Sequence, residues 1–155
     1  MKIRVVALGH RMPEWIGAGW NDYARRLPRE FALTLTELKP EARDRGKPIA
    51  QLLAAEALRI EAACKDAEVV ALDERGSPWT TRVLADHLGR WRDGARDVAF
   101  VIGSADGLDP GLKQRASAVL ALSALTLPHG LARVLLAEQI YRAASLLSGH
   151  PYHRE

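Results

Sequence analysis

Three short segments carry the residue types from which small-molecule sites are built: LDERGSPW at 72–79, IGSADGLDP at 102–110 and LTLPHG at 125–130. Each follows an apolar run (VVA, VAFV and VLALSA). In open α/β sheets ligands collect where strand ends of this kind converge, so the three segments together define the best candidate site. Gly76, Gly103, Gly107 and Gly130 suit a close main-chain approach or positive φ, and equally suit ordinary turns. GSADG lacks the Gly-Lys-Ser/Thr element of a phosphate loop, and Gly17-Ala-Gly19 lies in a helical pattern without a third glycine. A standard dinucleotide or NTP fold is therefore not expected. Ser104 follows a strand but lacks the G-x-S-x-G spacing of a nucleophile elbow. His129, His150 and His153 have no cysteine or acidic pair spaced to complete a metal site, and none is expected.

The C-terminal segment LSALTLPHGLARVLLAEQIYRAASLLSGHPYHRE holds a second group of candidates. A long helix carries Arg133, Glu138, Tyr141 and Arg142, and the i, i+4 spacing of Glu138 and Arg142 lets them pair on one face. Leu136, Ile140, Ala143 and Leu147 with the small Ala137 and Ala144 supply apolar faces suited to the sheet and to a partner helix. Tyr152, His153 and Arg154 then end the chain with an aromatic ring, an imidazole and a guanidinium. Such groups can stack on a base and hold phosphate. The plain alternative is a disordered polar tail.

These segments need a scaffold, and the rest of the chain describes one. Its 155 residues, 48% hydrophobic, suffice for one core and are read as one domain over 1–155. The net charge is +3, and the 22 cations divide into 17 Arg and 5 Lys. Arginine suits bidentate phosphate recognition, although a coding bias gives the same composition. The lone Cys64 is expected to be buried and inert, without a disulfide. No run approaches 18 apolar residues, so a soluble, cytoplasmic protein without a membrane association is expected.

Val-, Ile- and Leu-rich runs alternate with helical periodicities, which predicts an α/β domain with a mostly parallel sheet flanked by helices. Strands are predicted at Ile3–Leu8, Phe31–Leu38, Val69–Leu72, Val98–Ile102 and Val119–Leu125. VVAL, VAFVI and VLALSAL read as central strands buried on both faces, and FALTLTEL alternates as an edge strand does. Helices are predicted at Glu14–Leu27, Pro48–Cys64, Thr80–Trp91 and Leu131–Leu147. Lys39–Lys47, charged and without apolar content, reads as a mobile surface loop.

The strings LDERGSPW, FVIGSADGLDP, LSALTLPHGLARVLLAEQIYRA and HPYHRE, with the opening VVALGHRMPEWIGAGWNDYARRLP, resemble the SPOUT-class ribosomal RNA large subunit methyltransferase H family, the pseudouridine N3-methyltransferases. The resemblance covers essentially the whole chain. It implies a single-domain SPOUT fold with a C-terminal trefoil knot, which periodicity could not supply because threaded chains are rare. It implies S-adenosylmethionine as cofactor, held by Leu72, Gly103 and the run Leu122, Ser123, Ala124, Leu125, Thr126 and Leu127. It also implies a homodimer in which one subunit's cofactor faces the other's tail, and a pseudouridine in a stem-loop of 23S rRNA on assembled ribosomes as substrate. No appended RNA-binding domain is read, so dimer and ribosome are expected to supply recognition. Ser104-Ala105-Asp106 stands where many members carry a Gly-Pro-Glu-like run, and Gly130 replaces a more restricted residue.

On this reading His129, Arg133 and Glu138 lie on the substrate side, and Arg142, Tyr152, His153 and Arg154 form the catalytic set. His153 or an adjacent cation assists removal of the imide proton, while Arg142 and Arg154 hold RNA and stabilise negative charge. Two rivals remain at this point. A non-catalytic ribosome-binding factor explains the arginines and tail without the glycine loops, and a hydrolase built on Ser104 uses the loop differently.

Overall fold

The computed structural model describes residues 1–44 and 46–154, with the main chain alone at 153 and 154. Its strands are β1 (Lys2–Leu8), β2 (Ala32–Leu38), β3 (Glu68–Pro78), β4 (Val98–Ile102) and β5 (Ala118–Ala121). They form one sheet in the order β2-β1-β4-β3-β5, parallel throughout. The helices are α1 (Glu14–Ala24), α2 (Ile49–Ala63), α3 (Thr81–Asp93), α4 (Pro110–Arg115) and α5 (His129–Ser148), followed by a 3-10 turn at Pro151–Arg154.

Apolar side chains on both faces of the strands require helices on both sides. Ile3, Val5, Ala7, Val70, Phe100 and Ile102 pack with α1, α3 and α5 through Trp20, Leu88 and Ile140. Val6, Leu8, Ala71, Ala99 and Val101 pack with α2 and α4 through Ala57, Ile60 and Leu112. Each Val, Leu, Ile or Phe buried in this way contributes roughly 1.5–3 kcal/mol. The Cys64 thiol sits in the second core, where burial pushes its pKa up to about 11.

α5 spans 20 residues, about 30 Å at 1.5 Å per residue. Gly149, at φ 71°, ends it in the left-handed conformation, and the His150 N–H closes the turn onto the Ser145 carbonyl at 2.9 Å.

Several expectations need correction. β5 stops at Ala121 rather than Leu125 and lies at the sheet's edge rather than its centre; the apolar residues after it belong to a loop. β3 continues through LDERGSP to Pro78, because Ser77 and Pro78 pair with Leu120 and Ala121 after a four-residue irregularity. α1 ends at Ala24, and α5 begins at His129, two residues before the apolar pattern. α4 was not predicted. Its start signal is present, Asp109 accepting from the Leu112 N–H at 3.1 Å with Pro110 next, but six residues give little periodicity. The 39–47 segment is pinned at Arg43, and Arg45 lies outside the described residues. Among the described residues no helix is long and apolar enough to cross a membrane.

Candidate active site

The three predicted loops meet at the carboxyl ends of the strands. Leu72 pairs with Leu120, and Ala71 with Val101, so the end of β3 lies between the loops that follow β4 and β5. Thr126 Oγ1 donates to Glu74 Oε2 at 3.2 Å, joining the loop after β5 to the continuation of β3. Leu122 is partly buried against the first core, whereas Leu125 is 75% exposed. The Leu125 N–H is held by Ser123 Oγ at 2.9 Å. Gly103 and Gly107 make the turn after β4 possible. A Cβ on Gly103 would lie 2.5 Å from the Gly107 carbonyl oxygen, and Gly107 has φ 83°.

His129 and Arg133 fasten this edge. His129 Nδ1 lies 3.0 Å from the Gly103 carbonyl oxygen, and Arg133 Nε lies 3.0 Å from His129 Nε2. A guanidinium only donates, so Nε2 accepts and Nδ1 carries the proton that bonds Gly103. Burial first, and then the Arg133 charge, hold the imidazole below its ordinary pKa, consistent with this neutral form. Arg133 also donates to Glu37 Oε2 at 2.8 Å and to the Gly9 carbonyl at 3.0 Å. Expected on the substrate side, Arg133 is instead 2% exposed and turned inward. The first turns of α5 lie over the strand ends, where the Gly9 carbonyl and the Glu37 carboxylate capture its fork.

A second polar cluster grips the same turn from the α2 side. Glu56 is 1% exposed on the apolar face of Leu52, Leu53, Ala57 and Ile60. Its carboxylate accepts from Arg43 Nη1 at 2.7 Å, from the Glu41 N–H at 2.9 Å and from Ser104 Oγ at 3.2 Å. Arg43 donates as well to Ser104 Oγ at 2.8 Å and to Asp106 Oδ2 at 3.1 Å. Burial alone would raise the Glu56 pKa, but the bonds from Arg43, Glu41 and Ser104 outweigh it and hold the carboxyl below its ordinary value. Ser104 is thus occupied by Arg43 and Glu56, and no described histidine bonds to its hydroxyl.

The remaining candidates stand at the other end of α5. Glu138 Oε1 accepts from Arg142 Nε at 2.9 Å and from the Tyr152 hydroxyl at 3.1 Å. Arg142 lies over the Tyr152 ring at 4.8 Å, and Tyr141 packs against that ring with centroids 4.5 Å apart. Burial, with Glu138 beside it, pushes the Tyr152 pKa up to about 12. The side chains of His153 and Arg154 lie outside the described residues. From His129 to Arg142 the helix rises about 20 Å.

The family model described as "Predicted SPOUT methyltransferase" matches residues 1–153. The chain belongs to the SPOUT methyltransferase family. Among its relatives, a protein of Nitrosospira multiformis named Ribosomal RNA large subunit methyltransferase H is 60% identical over 155 residues, covering 99% of each chain. One of the same name from Paraburkholderia xenovorans is 56% identical over the same shares. Solved structures share the fold at low identity. A probable methylase family protein from Haemophilus influenzae has TM-score 0.62 and 17% identity, over 97% of this chain and 69% of that one. A probable methyltransferase from Bordetella pertussis has TM-score 0.59 and 20% identity, over 92% and 95%.

For a SPOUT methyltransferase the cradle at the strand ends has fitting chemistry. Leu72 and Leu122, partly buried against the first core at these strand ends, give the cradle apolar walls. Among the described residues, the main-chain N–H groups of Ala124, Thr126 and Leu127 bond no protein acceptor and are free for polar edges of a ligand. A surface concavity of about 500 Å³, lined by Asp66, Glu68, Arg96 and Asp97, lies at the amino ends of the strands, away from this chemistry. Sequence reasoning missed Arg43, Glu56 and Asp106. The available signal was Glu56 itself, a carboxylate at a core position of LLAAEALRI.

Proposed function

We propose that this methyltransferase transfers a methyl group from S-adenosylmethionine to N3 of a pseudouridine in a stem-loop of large-subunit rRNA. It does so as a cytoplasmic homodimer acting on assembled ribosomes. The relatives' names support an rRNA substrate. The observation that carries the reading is the division of α5: the cradle stands at its amino end and the aromatic and cationic tail at its carboxyl end, too far apart to serve one substrate within one chain. A second copy, one domain each with its C-terminal part in a trefoil knot, brings one protomer's cradle to the other's tail.

Leu72, Gly103 and the run 122–127 hold the cofactor, which supplies a methyl group on a positively charged sulfur. His129 acts on the cofactor side by holding Gly103, Arg133 holds His129 rather than RNA, and Glu138 positions Arg142 and Tyr152. With the cofactor bound, the acceptor N3–H would have to give up its proton, and groups of the tail would hold or move it. Tyr152, kept protonated at neutral pH with its one proton given to Glu138, is not a base there; it offers its ring and the hydroxyl oxygen's remaining acceptor capacity. Arg142 and Arg154 hold RNA and stabilise the imide anion, and His153 takes part in proton removal.

Radiolabelled methyl transfer to ribosomes lacking the modification tests this, with free subunits as comparison. Label at N3 of one large-subunit pseudouridine is the expected result. Cofactor binding without label in any ribosomal RNA would end the proposal. The non-catalytic ribosome-binding reading has no support among the relatives, which are named as enzymes.

A further inference from the structure

Glu56 poses a question that the fold does not answer. A carboxylate buried among leucine, alanine and isoleucine is costly unless fully paired, and an apolar side chain at that position would serve the core better. Its partners are not other core groups. They are a loop arginine, Arg43, the Glu41 N–H of the same loop, and the hydroxyl of Ser104 on the turn after β4. Arg43 in turn reaches both Ser104 and Asp106, and contributes a donor to the Glu41 carbonyl at 2.7 Å. The 103–107 turn is thereby held on one side by His129 through Gly103 and on the other by Arg43 and Glu56 through Ser104 and Asp106.

We propose that Arg43 and Glu56 are positioning residues for the cofactor, clamping the 103–107 turn so that Gly103 presents its main chain at a fixed place beside Leu72. This rests on the reading above that the turn lines the cofactor cradle. A planar guanidinium forked between a buried carboxylate and a turn fixes direction as well as distance, which a lysine could not. Neither residue needs to touch the cofactor.

The test is calorimetric binding of S-adenosylhomocysteine to the protein, with steady-state methyl transfer to ribosomes. In Arg43→Ala, affinity should fall about tenfold through lost preorganisation, and the KM for S-adenosylmethionine should rise while the KM for ribosomes stays put. Ser104→Ala should weaken binding less, and the double variant should lose less than the two single losses added, because the residues share one bond while Ser104 keeps its own to Glu56. Should Arg43→Ala fail to fold, Arg43→Lys, which keeps a charge beside Glu56 and loses the fork, decides by the same criterion. Affinity within twofold of wild type in a folded Arg43 variant overturns the clamp, as does an equal rise in both KM values. If the wild-type chain itself binds no S-adenosylhomocysteine, the cradle reading falls and the clamp with it. If wild type binds and the variants bind equally, only the clamp falls.

Discussion

The two ends of α5 solve different problems with similar residues. At the amino end Arg133 is buried and every direction of its fork is taken, by His129, Glu37 and Gly9. At the carboxyl end Arg142 keeps its side chain 21% exposed, pairs with Glu138 within its own helix and lies over an aromatic ring. The first arrangement fixes main-chain geometry across strand ends. The second presents a cation and a phenol to whatever approaches. A rigid helix separates them within one chain, and the proposed dimer would bring one copy's cradle to the other's tail.

The strongest way to break that comparison is to damage the two ends in different chains. Arg142→Ala should lower methyl transfer by on the order of 10²-fold or more, with S-adenosylhomocysteine binding unchanged by calorimetry. Gly103→Ala should lose cofactor binding with the tail intact. Randomly mixed, the two inactive proteins form heterodimers with one whole site each, and activity should return to about one quarter of wild type if the halves meet across the dimer. No recovery in the mixture, with heterodimers verified by mass, would place both halves in one chain.

The next effects fall on the cradle alone. In Gly103→Ala the new Cβ meets backbone, the Gly107 carbonyl at 2.5 Å, which no side-chain rotation relieves. A stability loss of about 1–3 kcal/mol should accompany the loss of binding. Arg133→Met keeps most of the buried stem and removes three hydrogen bonds, one from each guanidinium nitrogen. Glu37 is partly exposed and can turn to water, so the cost comes from the Gly9 carbonyl and His129 and should be about 2 kcal/mol by denaturant midpoint. A midpoint equal to wild type would mean that the network is incidental.

Much of this was readable in the residues. The alternation of Val-rich runs and helical periods implies the parallel sheet, and the three loops stand out by their glycines and by the apolar runs they follow. The i, i+4 pairing of Glu138 and Arg142 was likewise legible, because helix geometry is local. What escaped depends on contacts between distant segments. VLALSAL has the composition of a central strand, yet only its first part pairs, and the strand stands at the edge. Lys39–Lys47 has the composition of a free loop, yet Arg43 finds a buried carboxylate on α2, 13 residues away, and a turn 61 residues away. Arg133 reads as an RNA contact until the Gly9 carbonyl, 124 residues distant, is placed beside it.

The smallest effect concerns pH and distinguishes the two ends by titration. His129 is held neutral in the fold, below the ordinary imidazole value of 6.5. Between its folded and unfolded pKa the unfolded chain therefore binds more protons, so this group's contribution is complete above about pH 6.5 and disappears as pH falls through the folded pKa. Protonation puts a donor on Nε2 facing Arg133, its neighbour along α5, with Glu37 of β2 as the nearby opposing charge. Denaturant midpoints should decline from pH 7.5 to 5.5 in wild type and decline less in His129→Gln. His87 is also held low, chiefly by burial against Trp79 and Trp91, so its own titration persists in that variant. Cofactor affinity should follow the His129 part alone, because only that imidazole bonds Gly103. Identical pH slopes in wild type and His129→Gln would show that the amino end of α5 is not held by a neutral histidine.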